Sequence, residues 1–221
     1  MRSALVSLAA VLCLLMALPA SAGILYDNGP VNGTIDAYTI NFGFQVADSF
    51  TLSSGSTVTG ANLYVWLGTA GDNFTEVDWS ILDGTGNVLG ATLASGTAAV
   101  ISTKDLARSP NPYGYDIDSS TFSILPNQSL GAGTYFLMLQ NAVALSGGPV
   151  YWDENDGPSV AWENTLGYLG VGASTCGVKS GYCSETFQVL GTTGAVPEPG
   201  SLALVGSGIL LLGGLLRRKL S

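Results

Sequence analysis

Apolar and polar residues alternate in short runs through the middle of this chain, and no stretch there sustains a helical repeat. Residues 38–46 place Tyr38, Ile40, Phe42, Phe44 and Val46 on alternate positions with mainly polar residues between, which predicts one half-buried strand. The run 63–67 is apolar on both faces, as a central strand requires, and 77–81 alternates again. That strand runs into Asp83-Gly84-Thr85-Gly86-Asn87, a hairpin loop before Val88-Leu89. A strand at 121–125 is closed by a Pro126-Asn127 turn. Gly131-Ala132-Gly133 then leads into the clearest strand, 134–139, and runs at 150–152 and 186–190 complete the set. Eight or more short strands joined by glycine-rich turns predict an all-β fold, an antiparallel β-sandwich of jelly-roll or Greek-key connection.

The two ends break this pattern. Arg2 precedes an apolar stretch over 4–18, and Ala20-Ser21-Ala22 has the small-x-small form that a signal peptidase accepts. Residues 1–22 therefore read as a signal helix, removed by cleavage after Ala22. Cys13 lacks the small preceding residue of a lipoprotein signal and is an apolar filler. At the other end, residues 202–216 are apolar and are followed by Arg217, Arg218 and Lys219. As a helix they span roughly 22 Å, short of the roughly 30 Å hydrocarbon core, a deficit that bilayer thinning and snorkelling of the three cations can meet. The cations place the C-terminus on the cytoplasmic side. The reading is thus a signal at 1–22, a β-domain at 23–190, a flexible linker at 191–196 and an anchoring segment at 197–221.

Pro197-Glu198-Pro199, the apolar helix and the Arg217-Arg218-Lys219 cluster, in that order, resemble the PEP-CTERM sorting signal of Gram-negative bacteria. The resemblance covers about the last twenty-five residues. It implies recognition by an exosortase, a membrane-embedded cysteine transpeptidase, and processing near 197–199 on the outer face of the inner membrane. Delivery to the cell surface or to an exopolysaccharide matrix would follow. Residues 130–135 more loosely resemble the β-sandwich domains of exported proteins with this tail, and carry over no functional residue.

Charge sharpens the location. Of seven basic residues, four belong to the ends, which leaves Lys104, Arg108 and Lys179 in a body that holds every acid except Glu198. Such a balance opposes binding to nucleic acid and to anionic lipid, and suits a solvated extracellular protein that meets divalent cations. The chain has no histidine. Ser-His-Asp and Cys-His nucleophiles, the common zinc sites and histidine general bases are therefore excluded. Cys176 and Cys183, in an exported chain, predict a small disulfide-closed loop that stabilises by about 2–3 kcal/mol.

The best candidate site is the segment from Tyr151 to Gly157, with Trp152, Asp153, Glu154, Asn155 and Asp156, continuing to Trp162 and Glu163. Clustered carboxylates and an amide supply oxygen ligands for Ca²⁺, although the spacing is not that of an EF-hand. Trp152 and Trp162 could stack on a sugar while the acids accept its hydroxyls. The alternative is a strand running into a solvated acidic turn, with the tryptophans in the core. Two further acid clusters, Asp72–Glu76–Asp78 and Asp116–Asp118, invite comparison with glycosidase carboxylate pairs, whose separation decides the chemistry.

The expectation is a non-enzymatic surface or matrix protein with a structural or adhesive role and no cofactor beyond Ca²⁺. Its partners would be signal peptidase, exosortase, the inner membrane before processing and, afterwards, exopolysaccharide. A carbohydrate-binding module using Trp152, Trp162 or Trp66 is the alternative, and a polysaccharide hydrolase the second alternative.

Overall fold

Strands of the computed structural model pair antiparallel throughout the described residues, which are 22–34, 36–68, 71–159, 161–165 and 184–194. In chain order they are β1 (Gly23–Asp27), β2 (Ala37–Thr39), β3 (Phe44–Leu52), β4 (Ser56–Leu67), β5 (Phe74–Asp83) and β6 (Thr92–Lys104). There follow β7 (Asp116–Leu130), β8 (Gly133–Ala144), β9 (Val150–Asn155), β10 (Ala161–Thr165), β11 (Ser184–Glu185) and β12 (Phe187–Thr193). Among the described residues there is no α-helix, and none long and apolar enough to cross a membrane.

The strands run in the order β1-β12-β4-β7-β6-β5-β8-β3-β10, with β9 added beside β4 and flanked by β2 and β11. The sheet curls because β6 serves two partners: its residues up to Ala99 pair with β5, and those from Val100 pair with β7. The β4 edge is shared as well, Ser56 to Leu63 with β12 and Val65 to Leu67 with β9. Alternate residues of these strands form one core, including Val46, Phe50 and Leu52 of β3, Leu63, Val65 and Leu67 of β4 and Val77, Trp79 and Ile81 of β5. Leu137 and Leu139 of β8, Trp152 of β9, and Phe187 and Val189 of β12 complete it. Each such side chain contributes about 1.5–3 kcal/mol by leaving water. A smaller cluster, Ala47, Leu82, Phe136 and Met138, occupies the opposite face of β3, β5 and β8, with Trp162 against it.

The all-β, antiparallel expectation holds, with local corrections. The alternating run 38–46 is two strands. Phe42 and Gly43 take φ of 56° and 88°, and the Asn41 amide donates to the Gly148 carbonyl, so the chain turns there and Phe42 is exposed. Val88-Leu89 lies in the loop before β6, after a short 3₁₀ turn at Thr85–Asn87. Pro126-Asn127 does not end a strand. β7 continues to Leu130, and the residues between Ser123 and Gln128 form a bulge opposite Val58 and Gly60, where a proline's missing N–H is tolerated. Gly191 to Thr193, expected as the start of the linker, are the last residues of β12 and pair with β4. The signal helix with Ala20, the span 202–216, the sorting residues Pro197, Glu198, Pro199, Arg217, Arg218 and Lys219, and the cysteines Cys176 and Cys183 lie outside the described residues.

Candidate functional site: a buried acidic junction

β9 carries the acidic segment into the protein rather than out of it. Strand alternation sends Val150, Trp152 and Glu154 to one face and Tyr151, Asp153 and Asn155 to the other, and from Trp152 to Asn155 every residue is buried. Of the acids in this segment, only Asp156, in the turn beyond, is exposed. The expected solvated acidic turn is therefore reduced to one residue.

The two acids of β9 that are buried have different surroundings. Asp153 accepts hydrogen bonds from Trp66 Nε1 at 2.6 Å, Thr186 Oγ1 at 2.8 Å and the backbone N–H groups of Asn32 and Gly33 at 3.0 and 2.8 Å. These ties join β4, β9 and the loop after β1, and occupy both carboxylate oxygens. Burial raises the Asp153 pKa, and those hydrogen bonds oppose the rise. Glu154 points the other way, towards Glu163 of β10 and Glu185 of β11. One carboxylate oxygen from each of the three lies within 4.8 Å of the other two, and all three side chains are buried.

Why these acids meet follows from register. Glu185 lies opposite Glu154 in the β9–β11 ladder, and Glu163 lies opposite Val46, a core residue of β3. Glu163 therefore faces inward, whereas its neighbour Trp162 faces the smaller cluster on the other side, edge-on to Phe136. No ladder joins β9 to β10 among the described residues, so the carboxylates meet where two strand edges approach without backbone pairing. Glu185 is the extreme case. It is 0% exposed, and neither of its carboxylate oxygens has a hydrogen-bond partner among the described residues. Burial raises its pKa well above the ordinary value, and the nearby charges of Glu154, Glu163, Asp48 and Asp153 raise it further.

Asp48 of β3 supports this junction from below. It accepts from the Glu185 N–H at 2.6 Å, Ser159 Oγ at 2.7 Å, Asn28 Nδ2 at 3.1 Å and its neighbour's N–H, that of Ser49, at 2.6 Å. Burial drives its pKa up to about 7 despite these donors. Asn28 is also within 2.6 Å of Ser159, Ser184 and the Glu185 carbonyl, and Tyr26 donates to its side-chain oxygen at 2.8 Å. Gly157 lets the turn after β9 lie on this network, because a Cβ there would collide with the Asn28 carbonyl oxygen and with Ser184.

Of the residues expected at the site, Glu154 and Glu163 meet. Trp152 is fully buried, donates from Nε1 to the Thr186 carbonyl at 2.9 Å and packs edge-on against Phe187. Trp66 is buried too, stacked with Tyr113. Neither can serve as a sugar platform. Trp162 is half-buried, Asp153 is engaged elsewhere and Asp156 stands outside. Asp48 and Glu185 were not expected. Their one signal is phase: each keeps step with the inward apolar residues of its segment, Val46 and Phe50 for Asp48, Phe187 and Val189 for Glu185.

The other acids gather separately. Lys104 binds Asp116 at 2.7 Å, Gly71 N–H also donates to Asp116, and Ser102 donates to Asp118 at 2.8 Å. The charges of Asp116 and Asp72 both reach Asp118, so two clusters that are distant in sequence form one strip. Asp78 lies apart, bound by Thr97 and Asn141.

A concavity of about 530 Å³ opens over the outer face of β1, β12 and β4, lined by Asp27, Asn62, Tyr64, Arg108 and Gln188 among others. Asn62 donates to Gln188 at 3.1 Å, and Gln188 to Asp27 at 2.9 Å, a polar ladder across three strands.

A family model for the PEP-CTERM protein-sorting motif matches residues 195–219. The chain carries that motif directly after its last described strand, which implies an exported, membrane-passing precursor processed by an exosortase. No curated protein matches the chain.

Proposed function

We propose that the chain is a non-enzymatic β-sandwich protein that the exosortase system delivers to the cell surface or its polysaccharide matrix, where it has a structural or adhesive role. The observation that carries this reading is the sorting motif at 195–219, placed one residue after a strand that is integral to the sheet. The fold adds support. Trp66, Trp152, Asp48 and Asp153 are engaged in holding strands together, which suits a domain selected for rigidity. The test uses the full chain in cells with and without the exosortase. With it, the mature form reaches the envelope surface or medium, shortened near 197–199; replacing Pro197, Glu198 and Pro199 by alanine leaves the uncut precursor in the inner membrane. Identical processing of wild type and variant would refute the sorting role. Release of reducing ends from matrix polysaccharide by the mature form would refute the non-enzymatic one.

Carbohydrate binding is the second reading, and the outer-face concavity favours it over the acidic segment. Asn62, Gln188 and Asp27 present amides and a carboxylate beside the Tyr64 ring, a combination that can hydrogen-bond and stack on a sugar. Tyr64→Ala should abolish retention on immobilised matrix polysaccharide if this reading holds.

A further inference from the structure

We infer that Glu154, Glu163 and Glu185 form a Ca²⁺ site that clamps β10 to β9 and β11. The inference concerns the fold itself and does not rest on the surface role. Oxygens bound to one Ca²⁺ at about 2.3–2.6 Å stand no more than roughly 5 Å apart, and the three carboxylates meet that limit. The independent sign of a ligand is Glu185, wholly buried, aimed into the cluster and without a hydrogen bond to either oxygen. A buried carboxylate is ordinarily paired, hydrogen-bonded or coordinating a metal. Here the first charges it meets among the described residues are other carboxylates.

The donor set selects the ion. Three carboxylates without nitrogen or sulfur suit a hard cation and not zinc or copper. Bidentate binding supplies up to about six oxygens from protein alone, which Ca²⁺ accepts in irregular geometry. Mg²⁺ keeps several waters and demands a regular octahedron, for which a buried junction has little room. The topology says what the ion does. Glu154 and Glu185 belong to the β9–β11 ladder and Glu163 to β10, which hangs on β3 by its other edge. One ion would thus join strand edges that no backbone ladder joins among the described residues.

The test is calorimetric titration of the EDTA-stripped full chain with CaCl₂, together with its thermal unfolding. One Ca²⁺ should bind per chain, with the unfolding midpoint raised by about 5–10 °C near a hundred-fold excess over Kd. Glu185→Gln keeps shape and removes one ligand charge. It should unfold in EDTA no earlier than wild type, weaken Ca²⁺ at least ten-fold and lose the midpoint shift. Asp83→Asn, at the end of β5 where its carboxylate binds Thr85, should leave both intact. Absence of Ca²⁺ heat, equal Ca²⁺ response in wild type and Glu185→Gln, or MgCl₂ acting at the same concentration as CaCl₂ would each overturn the assignment.

Discussion

The acidic strip beside β6 and the acidic junction between β9, β10 and β11 solve like-charge crowding in opposite ways. In the strip, Lys104 supplies the compensating charge: it lies opposite Asp118 in register and reaches diagonally to Asp116, while water covers part of its side chain. The junction is deeper, and among the described residues Glu185 finds no donor there. A strip that carries its own cation is complete when the chain folds. A buried carboxylate such as Glu185 is matched only when a proton or a metal ion joins it, so its contribution to stability depends on the solution outside.

The comparison breaks most severely at Asp48, which holds the junction in place. Asp48→Ala would remove an acceptor that Asn28, Ser159, Ser49 and the buried Glu185 N–H all use. The expected loss is about 3–5 kcal/mol in urea unfolding. Asp48→Asn keeps one acceptor oxygen and should lose about half as much. A loss below about 1 kcal/mol for Asp48→Ala would mean that the junction is not held from β3. Glu185→Met tests the opposite sign. Exchanging a buried, unpartnered carboxylate for an apolar side chain of similar length should stabilise the protein in EDTA by about 1–3 kcal/mol, while removing its response to CaCl₂. Destabilisation in EDTA would show that Glu185 is already satisfied without metal.

The same contrast explains what could be read from residues alone. Strand alternation made the all-β fold legible, because inward positions such as Leu63, Val65 and Leu67 repeat with period two. It failed at 38–46, where an unbroken alternation crosses a turn at Phe42-Gly43; period two cannot register a local reversal of direction. At the site, Glu154 and Glu163 were legible because they lie close together in an acid-rich segment. Asp48 and Glu185 were not, since Glu185 binds Asp48 across 137 residues and meets Glu154 only through the β9–β11 ladder, and pairing across strands has no local signature. Asp153 was legible as an acid but misread in role: the same strand that carries Glu154 to the junction turns Asp153 towards Trp66. Composition identified tryptophans as candidate platforms, yet Trp152 shares the phase of the core, and Trp66, out of phase with Leu63, Val65 and Leu67, is covered by Tyr113 and Tyr115, so burial decided the use of both.

The smallest effect lies in the strip, and its pH dependence separates it from the junction. The hydrogen bond and charge of Lys104 hold the Asp116 carboxyl below its ordinary value of 3.8, against the opposing effect of burial. A carboxylate whose folded pKa is depressed adds stability above its unfolded pKa and loses it as pH falls through the folded one. Lys104 is 38% exposed, so screening keeps the pair to about 0.5–1 kcal/mol. Lys104→Met should therefore lower stability by that amount at pH 7 and low salt. The difference should shrink as pH falls below about 4 and as salt rises, and it should be the same in EDTA and in CaCl₂. A Lys104→Met effect that depended on Ca²⁺ would place the ion in the strip and end the distinction between the two acidic regions.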